Sequence, residues 1–148
     1  MHMNWVRDAF TVSCDPAKLD RAVILQFLAS SYWAKGIPAA TIEKSLEHSL
    51  CFALLDGDRQ VGFARVMSDR ATFAYLADVF VLPGYRGRGL AKWLVECVLS
   101  HPDLQGLRRW MLATRDAHGL YERCGFIALK QPGVFMERHN PNAYGAGA

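Results

Sequence analysis

Several features are missing from this 148-residue sequence, and each absence closes a class of function. No apolar stretch approaches the ~18 residues needed to span a bilayer, so no transmembrane helix is expected. The amino end, Met1 to Phe10, lacks the basic-then-apolar layout of a secretory signal. Cysteine is sparse. Cys14, Cys51, Cys97 and Cys124 lie far apart and form no Cys-x-x-Cys and no Cys/His metal spacing. That argues against a disulfide framework and against a metal centre, and favours reduced thiols in the cytoplasm. No long basic run is present, and the net charge is only +3, from 17 Lys and Arg against 14 Asp and Glu. This balance admits an anionic ligand but not a nucleic-acid surface. Internal repeats and low-complexity linkers are absent as well.

What is present is core material: 51% of the residues are hydrophobic and 21% charged. One domain is expected over residues 1–139, as a monomer or homodimer, with 140–148 a flexible tail carrying Pro141, Gly145 and Gly147. A short strand is expected at Phe10 to Ser13. Val23, Ile24, Phe27 and Leu28 recur at helical spacing between Asp20, a candidate N-cap, and Trp33. Gly36 ends that helix, and Pro38 opens a second reaching about Ser49. Leu50 to Leu55 and Arg59 to Met67 flank Asp56-Gly57-Asp58, a hairpin signal, and Thr72 to Leu82 follows after a second turn. These three strands should pair antiparallel. A helix from about Gly89 to Ser100, a buried strand at Arg109 to Ala113, and a short helix capped by Asp116 come next. Phe126 to Leu129 and Val134 to Glu137 are candidate last strands.

The stretch from Val79 to Ala91 carries the most chemistry. A hydrophobic strand enters a turn with Gly84, Gly87 and Gly89, which opens directly into an amphipathic helix. Free N–H groups of the first helical turn and the helix dipole together make an anion site suited to phosphate. Arg86 and Arg88 add positive charge. No Gly-Lys-Ser/Thr follows, which excludes a Walker loop, and the third glycine of a dinucleotide fingerprint is lacking.

Asp78 is a lone carboxylate in a strand otherwise apolar from Tyr75 to Leu82, costly there unless solvated or paired. Strict alternation would put it on one face with Leu76 and Phe80, and it is the candidate general base. Structural hydrogen bonding to loop backbone is the competing role. Tyr32 and Trp33, beside the Gly36 loop, are candidates for contacting a substrate. His48 and His118 fall on helix surfaces and Cys124 reads as a packed thiol.

About thirty residues after the glycine loop come Ala117, Tyr121, Gly125 and Phe126, in the pattern Ala-x-x-x-Tyr-x-x-x-Gly-Phe. With Arg86, Gly89 and Ala91 as Arg-x-x-Gly-x-Ala, the pair of motifs resembles the GNAT superfamily of N-acetyltransferases. The resemblance covers Leu50 to Leu129 well and the first helices in outline. It implies an α+β fold: a mixed, strongly twisted central sheet of about six to seven strands, antiparallel in its first half, flanked by about four helices. It also implies acetyl-coenzyme A as cosubstrate and an amine acceptor, with no metal, nucleic acid or membrane.

The resemblance assigns the pantetheine arm to the backbone of Val79, Phe80 and Val81, in a splay of the sheet. The pyrophosphate falls to Arg86, Gly87, Arg88, Gly89, Leu90 and Ala91. Thr114 and Ala117 flank the arm on the other side, Thr114 standing where many members have asparagine. Tyr121 is implied as the proton donor to the departing thiolate. The expected activity is direct acetyl transfer to a primary amine of a small molecule or peptide. A non-catalytic acyl-coenzyme A binding module of the same fold is the alternative.

Overall fold

A computed structural model of the chain describes residues 2–145. Six strands form one sheet in the order β1-β2-β3-β4-β5-β6: β1 Asn4–Arg7, β2 Phe10–Ser13, β3 Leu50–Asp56, β4 Arg59–Ser68, β5 Phe73–Val81 and β6 Arg109–Met111. The first five pair antiparallel, through tight turns at β1–β2, β3–β4 and β4–β5 and through the α1–α2 segment at β2–β3, and β6 joins β5 in parallel through a crossover containing a helix. The helices are α1 Arg21–Ser30, α2 Ala39–Glu47, α3 Leu90–Ser100 and α4 His118–Glu122. The fold is thus the mixed α+β sheet with four helices expected from the resemblance.

Alternation along the strands sorts the core onto two faces. Phe52, Leu54, Ala64, Val66 and Leu76 pack with Leu90, Trp93, Leu94, Cys97 and Val98 of α3. Cys51, Phe63 and Phe80 face the other way, onto Ile24 and Leu28 of α1 and Ile42 and Leu46 of α2. Each of these aliphatic side chains contributes roughly 1.5–3 kcal/mol by leaving water. The entry of α1 is fixed twice. Asp20 caps it, accepting from the amides of Ala22 and Val23, while the Asp20 amide donates to the buried Gln60 side chain on β4 at 2.6 Å.

Two irregularities set the sheet's shape. Register along β4–β5 passes from Phe63↔Phe80 to Arg65↔Ala77, so Ala64 faces two residues, Asp78 and Val79. Asp78 takes the left-handed conformation, φ 56°, that a bulge of this kind needs. The alternation expected for Asp78 therefore breaks there. The second feature is a parting of strands. Pairing between β5 and β6 stops at Tyr75↔Met111, and from there to Val81 the β6-side edge of β5 has no strand partner among the described residues, while its other edge stays paired with β4. A splay opens where the resemblance implied one.

Three local expectations are corrected. β1 was not foreseen; it forms a hairpin with β2 through Asp8, a short turn with weak sequence signal. α4 is not capped by Asp116; it begins after Ala117, whose amide donates to Thr114 Oγ1. Neither Phe126 to Leu129 nor Val134 to Glu137 pairs as a strand. After α4 the left-handed Gly125 (φ 93°) and the Phe126 amide, bonded back to the Tyr121 carbonyl, send the chain away from the short edge of β6. In the stretch expected as a flexible tail, residues 141–144 form turns and Tyr144 packs on the α1–α2 side of the core; residues 146–148 lie outside the described residues.

Gly62 lets β4 run close beside the bulge. A Cβ there would lie 2.8 Å from the Phe80 carbonyl oxygen and 2.9 Å from Leu54. Gly62→Ala should therefore cost roughly 1–3 kcal/mol, read as a lowered Tm, because β5 backbone must shift. An unchanged Tm would show that the strands have slack at this point.

Candidate active site

The splay is the floor of a cleft of about 540 Å³. Its lining includes Tyr32, Trp33, Asp78, Val79, Thr114, Ala117 and Tyr121, seven of the residues singled out from sequence. They come from three places: the loop after α1, the bulge of β5, and the turn into α4. Phe80 contributes no side chain, since its ring is buried and stacked on Phe27 at 4.0 Å. Its main chain faces β4, as the Leu82 amide donating to the Val61 carbonyl and the Phe80 carbonyl against Gly62 show. Val81 is likewise buried, and its carbonyl accepts from Arg86 Nε at 2.9 Å. Arg86 thus braces the glycine loop onto β5.

That loop lies at the far end of β5 and does not line the same cleft. Strand β5 connects the two. Gly87 and Gly89 adopt φ 79° and 74°, which glycine adopts freely. Gly89 stands at the N-cap of α3 and supplies no capping side chain. Among the described residues, the amides of Gly87 to Ala91 have no acceptor, so they and the helix dipole are free for an anion. A Cβ built on Gly87 or Gly89 meets nothing within 4 Å, so there is room for a ligand against the backbone. Arg88 lies over the Tyr85 ring, 5.3 Å from its centroid, and Tyr85 donates to Asp56 at 2.8 Å.

Tyr121 is buried on α4, with its ring edge-on to Phe126 at 6.0 Å. Burial pushes its hydroxyl up to about 12, with the Tyr32, Cys124 and Asp116 charges adding to the shift. The group therefore stays protonated at neutral pH, as a donor must. It has no hydrogen-bond partner among the described residues, yet no sealed side-chain polar atom is left unpaired, so the hydroxyl opens to the cleft.

Asp78 is already engaged. Its carboxylate accepts from Trp33 Nε1 and from Arg65 Nε, both at 2.8 Å, and Arg65 also donates to Ser49 Oγ at 3.1 Å. The Asp78 and Arg65 side chains are 10% and 15% exposed. A second contact crosses the cleft: the Arg115 amide donates to the Tyr32 hydroxyl at 3.0 Å, while the Arg115 guanidinium stacks 3.8 Å from that ring's centroid. The aromatic pair after α1 is thereby tied to both walls of the splay. Arg65 escaped the sequence reading, although a lone cation in an apolar strand next to Asp78's strand was a usable signal. Tyr144, also in the lining, left none.

Burial pushes the thiols of Cys14 and Cys97 up to about 12 and that of Cys51 up to about 11, too high for a nucleophile. His48 and His118 are exposed. Among the described residues no helix is long and apolar enough to cross a membrane, and no three His, Cys, Asp or Glu side chains are placed to hold a metal ion.

The model of the acetyltransferase (GNAT) family matches residues 5–126. The chain belongs to this family. It is 34% identical over 141 residues to a candidate acetyltransferase of Gibberella zeae, covering 80% of this chain and 78% of that one. A solved structure from Xanthomonas campestris, a candidate acetyltransferase of the GNAT family, is 54% identical with a TM-score of 0.88, over 91% of this chain and 96% of that one. A GNAT acetyltransferase of Elizabethkingia anophelis with acetyl-CoA bound has the same fold at 13% identity, TM-score 0.64, over 84% of this chain and 80% of that one. Family membership brings acyl transfer as the general activity.

The glycine loop gives the first test of the site. Asparagine tolerates a left-handed backbone, so Gly87→Asn should fold with little change in Tm. Its side chain would occupy the open space over the loop backbone, and affinity for coenzyme A by calorimetry should fall at least about tenfold, some 1.4 kcal/mol. Wild-type affinity in the folded variant would remove the loop from the site.

Proposed function

We propose that this protein is a cytoplasmic acetyl-CoA-dependent N-acetyltransferase that acetylates a primary amine directly. The single observation that carries the reading is the line formed along β5. Uncapped amides of α3 lie at one end, a strand edge without a partner lies in the middle, and the open hydroxyl of Tyr121 lies at the other. The room over Gly87 and Gly89 and the set of free amides fit a pyrophosphate. When bound, acetyl-CoA supplies an acetyl thioester activated for attack and a thiolate that can leave.

The chain's own residues supply the rest. Backbone of Val79 to Val81 holds the pantetheine arm as an added strand, and Arg86 to Ala91 receive the pyrophosphate. An amide at the bulge, near Phe80, donates to the thioester oxygen as negative charge builds on it. As the amine nitrogen bonds the acetyl carbon and the carbon–sulfur bond breaks, Tyr121 passes its proton to sulfur. The amine's surplus proton passes through water in the cleft and restores the Tyr121 hydroxyl. Because both oxygens of Asp78 already accept strong donors, protonating it would weaken its ion pair with Arg65. That pairing favours an anchoring role for Asp78 over the general-base role. Thr114 and Ala117 bound the arm, and Tyr32 and Trp33 wall the acceptor side. A Tyr121 hydroxyl held protonated and unpaired favours turnover over a binding-only module.

Release of free thiol from acetyl-CoA across a panel of amines tests the activity. Tyr121→Phe should keep coenzyme binding and lose roughly 10²–10⁴ in turnover. A full rate would show that sulfur leaves without this hydroxyl. Asp78→Asn should lower Tm and leave the shape of the pH–rate profile unchanged. A loss concentrated near neutral pH and recovered as pH rises would restore the base role, since free amine then becomes abundant.

A further inference from the structure

The acceptor side of the cleft has a composition of its own. Met67 of β4 and Tyr75 of β5 are cross-strand partners, both half-buried and both in the lining. Arg65 and Ala77 are the next lining pair on that face of the sheet. Trp33 and Ile37 join them from the loop after α1. One further wall comes from far along the chain. The Ala143 amide donates to the Asn140 carbonyl and the Gly145 amide to that of Asn142, folding a turn. This turn packs Tyr144 against the α1–α2 side of the core and into the cleft lining.

Charge on these elements cancels. On β4, β5, α2 and the loop after α1, the only charged side chains in the lining are Arg65 and Asp78, bonded to each other at 2.8 Å. Arg115 and Asp116, on the turn before α4, are exposed and of opposite sign. A second ammonium on the acceptor would find no free carboxylate on the sheet side and would lie beside the Arg65 guanidinium. A carboxylate there would meet Asp78. Either group would lose water without gaining a partner. Flat apolar surface is what the pocket offers instead. Such walls also favour the neutral form of an amine, because leaving water penalises the ammonium, and the neutral form is the nucleophile.

We propose that the acceptor is a small arylalkylamine, a monoamine with an aromatic body and no second charge, selected by Met67, Tyr75 and Tyr144. This rests on the acetyl-transfer reading of the same cleft and narrows it. An aromatic ring packs edge-on or offset against tyrosine rings, and the flexible thioether of Met67 adapts to a ring edge. The volume agrees. About 540 Å³ must take both the acetyl end of the coenzyme and the acceptor, which suits one ring and a short linker. Tyr144, held by its turn, walls the acceptor side against a longer chain.

Amines that differ in charge but not in reach test this. With acetyl-CoA saturating, kcat/KM for 2-phenylethylamine should exceed that for putrescine and for L-phenylalanine by roughly 100-fold. Tyr144→Ala should raise the KM for 2-phenylethylamine about tenfold and leave kcat and the KM for acetyl-CoA little changed. Should that variant misfold, Met67→Glu places a carboxylate beside Tyr75 and should shift preference toward putrescine by about tenfold. Preference of the wild-type chain for putrescine, L-phenylalanine or a lysine peptide would overturn the inference and leave amine acetylation standing. So would a KM for 2-phenylethylamine that neither substitution moves. Binding separates the two readings if no amine turns over. Added to the chain loaded with coenzyme A, 2-phenylethylamine should shift the amides of Met67, Tyr75 and Tyr144. Those shifts without turnover would keep the ligand class and remove acetyl transfer, whereas neither shifts nor turnover would overturn both.

Discussion

The parting of β5 from β6 after Tyr75 is the constraint on which the site depends. A sheet strand that loses its neighbour exposes a row of backbone donors and acceptors, normally a liability. Here the exposed row ends at a helix N-terminus whose own amides are free. One strand thus offers a ladder for an extended polar chain and a cradle for its anion. Such a pair of features fits the long, phosphate-bearing cosubstrate proposed for this chain.

Holding that gap open takes work elsewhere in the fold. The bulge puts Asp78 in a left-handed conformation that a non-glycine residue enters at a cost of order 1–3 kcal/mol. The ion pair to Arg65 and the bond from Trp33 offset it, and removal of one partner from so buried a pair is costly. The same bonds fasten the loop after α1 to β5, and Tyr32 fastens it to the turn before α4. The proposed acceptor wall, oxyanion donor and thiolate donor are therefore fixed relative to one another. Preorganisation of this kind lowers the reorganisation needed in the transition state.

Much of this was legible in the sequence. Local sequence patterns located five of the six strands and all four α-helices, because their apolar faces are buried on a definite side. The glycine loop was legible because positive φ and an uncapped helix start both demand glycine. What was not legible depended on register. Alternation placed Asp78 with Phe80, and one extra residue in the bulge undid that. The role of Asp78 could not be weighed without Arg65, whose nearness follows from the pairing of β4 with β5. Phe126 to Leu129 and Val134 to Glu137 have strand composition, yet composition does not supply a neighbouring edge. In this chain the nearest edge, β6, is three residues long and lies across a groove.

The central claim is that β5 and the α3 N-terminus form one continuous coenzyme site. Titration of the isotope-labelled chain with acetyl-CoA, followed by amide chemical shifts, tests it directly. The account predicts saturable shifts at Val79 to Val81, at Gly87 to Ala91 and around Thr114 to Tyr121, all with a single dissociation constant. Shifts confined to one end of that line, or centred on the β6 groove, would contradict it.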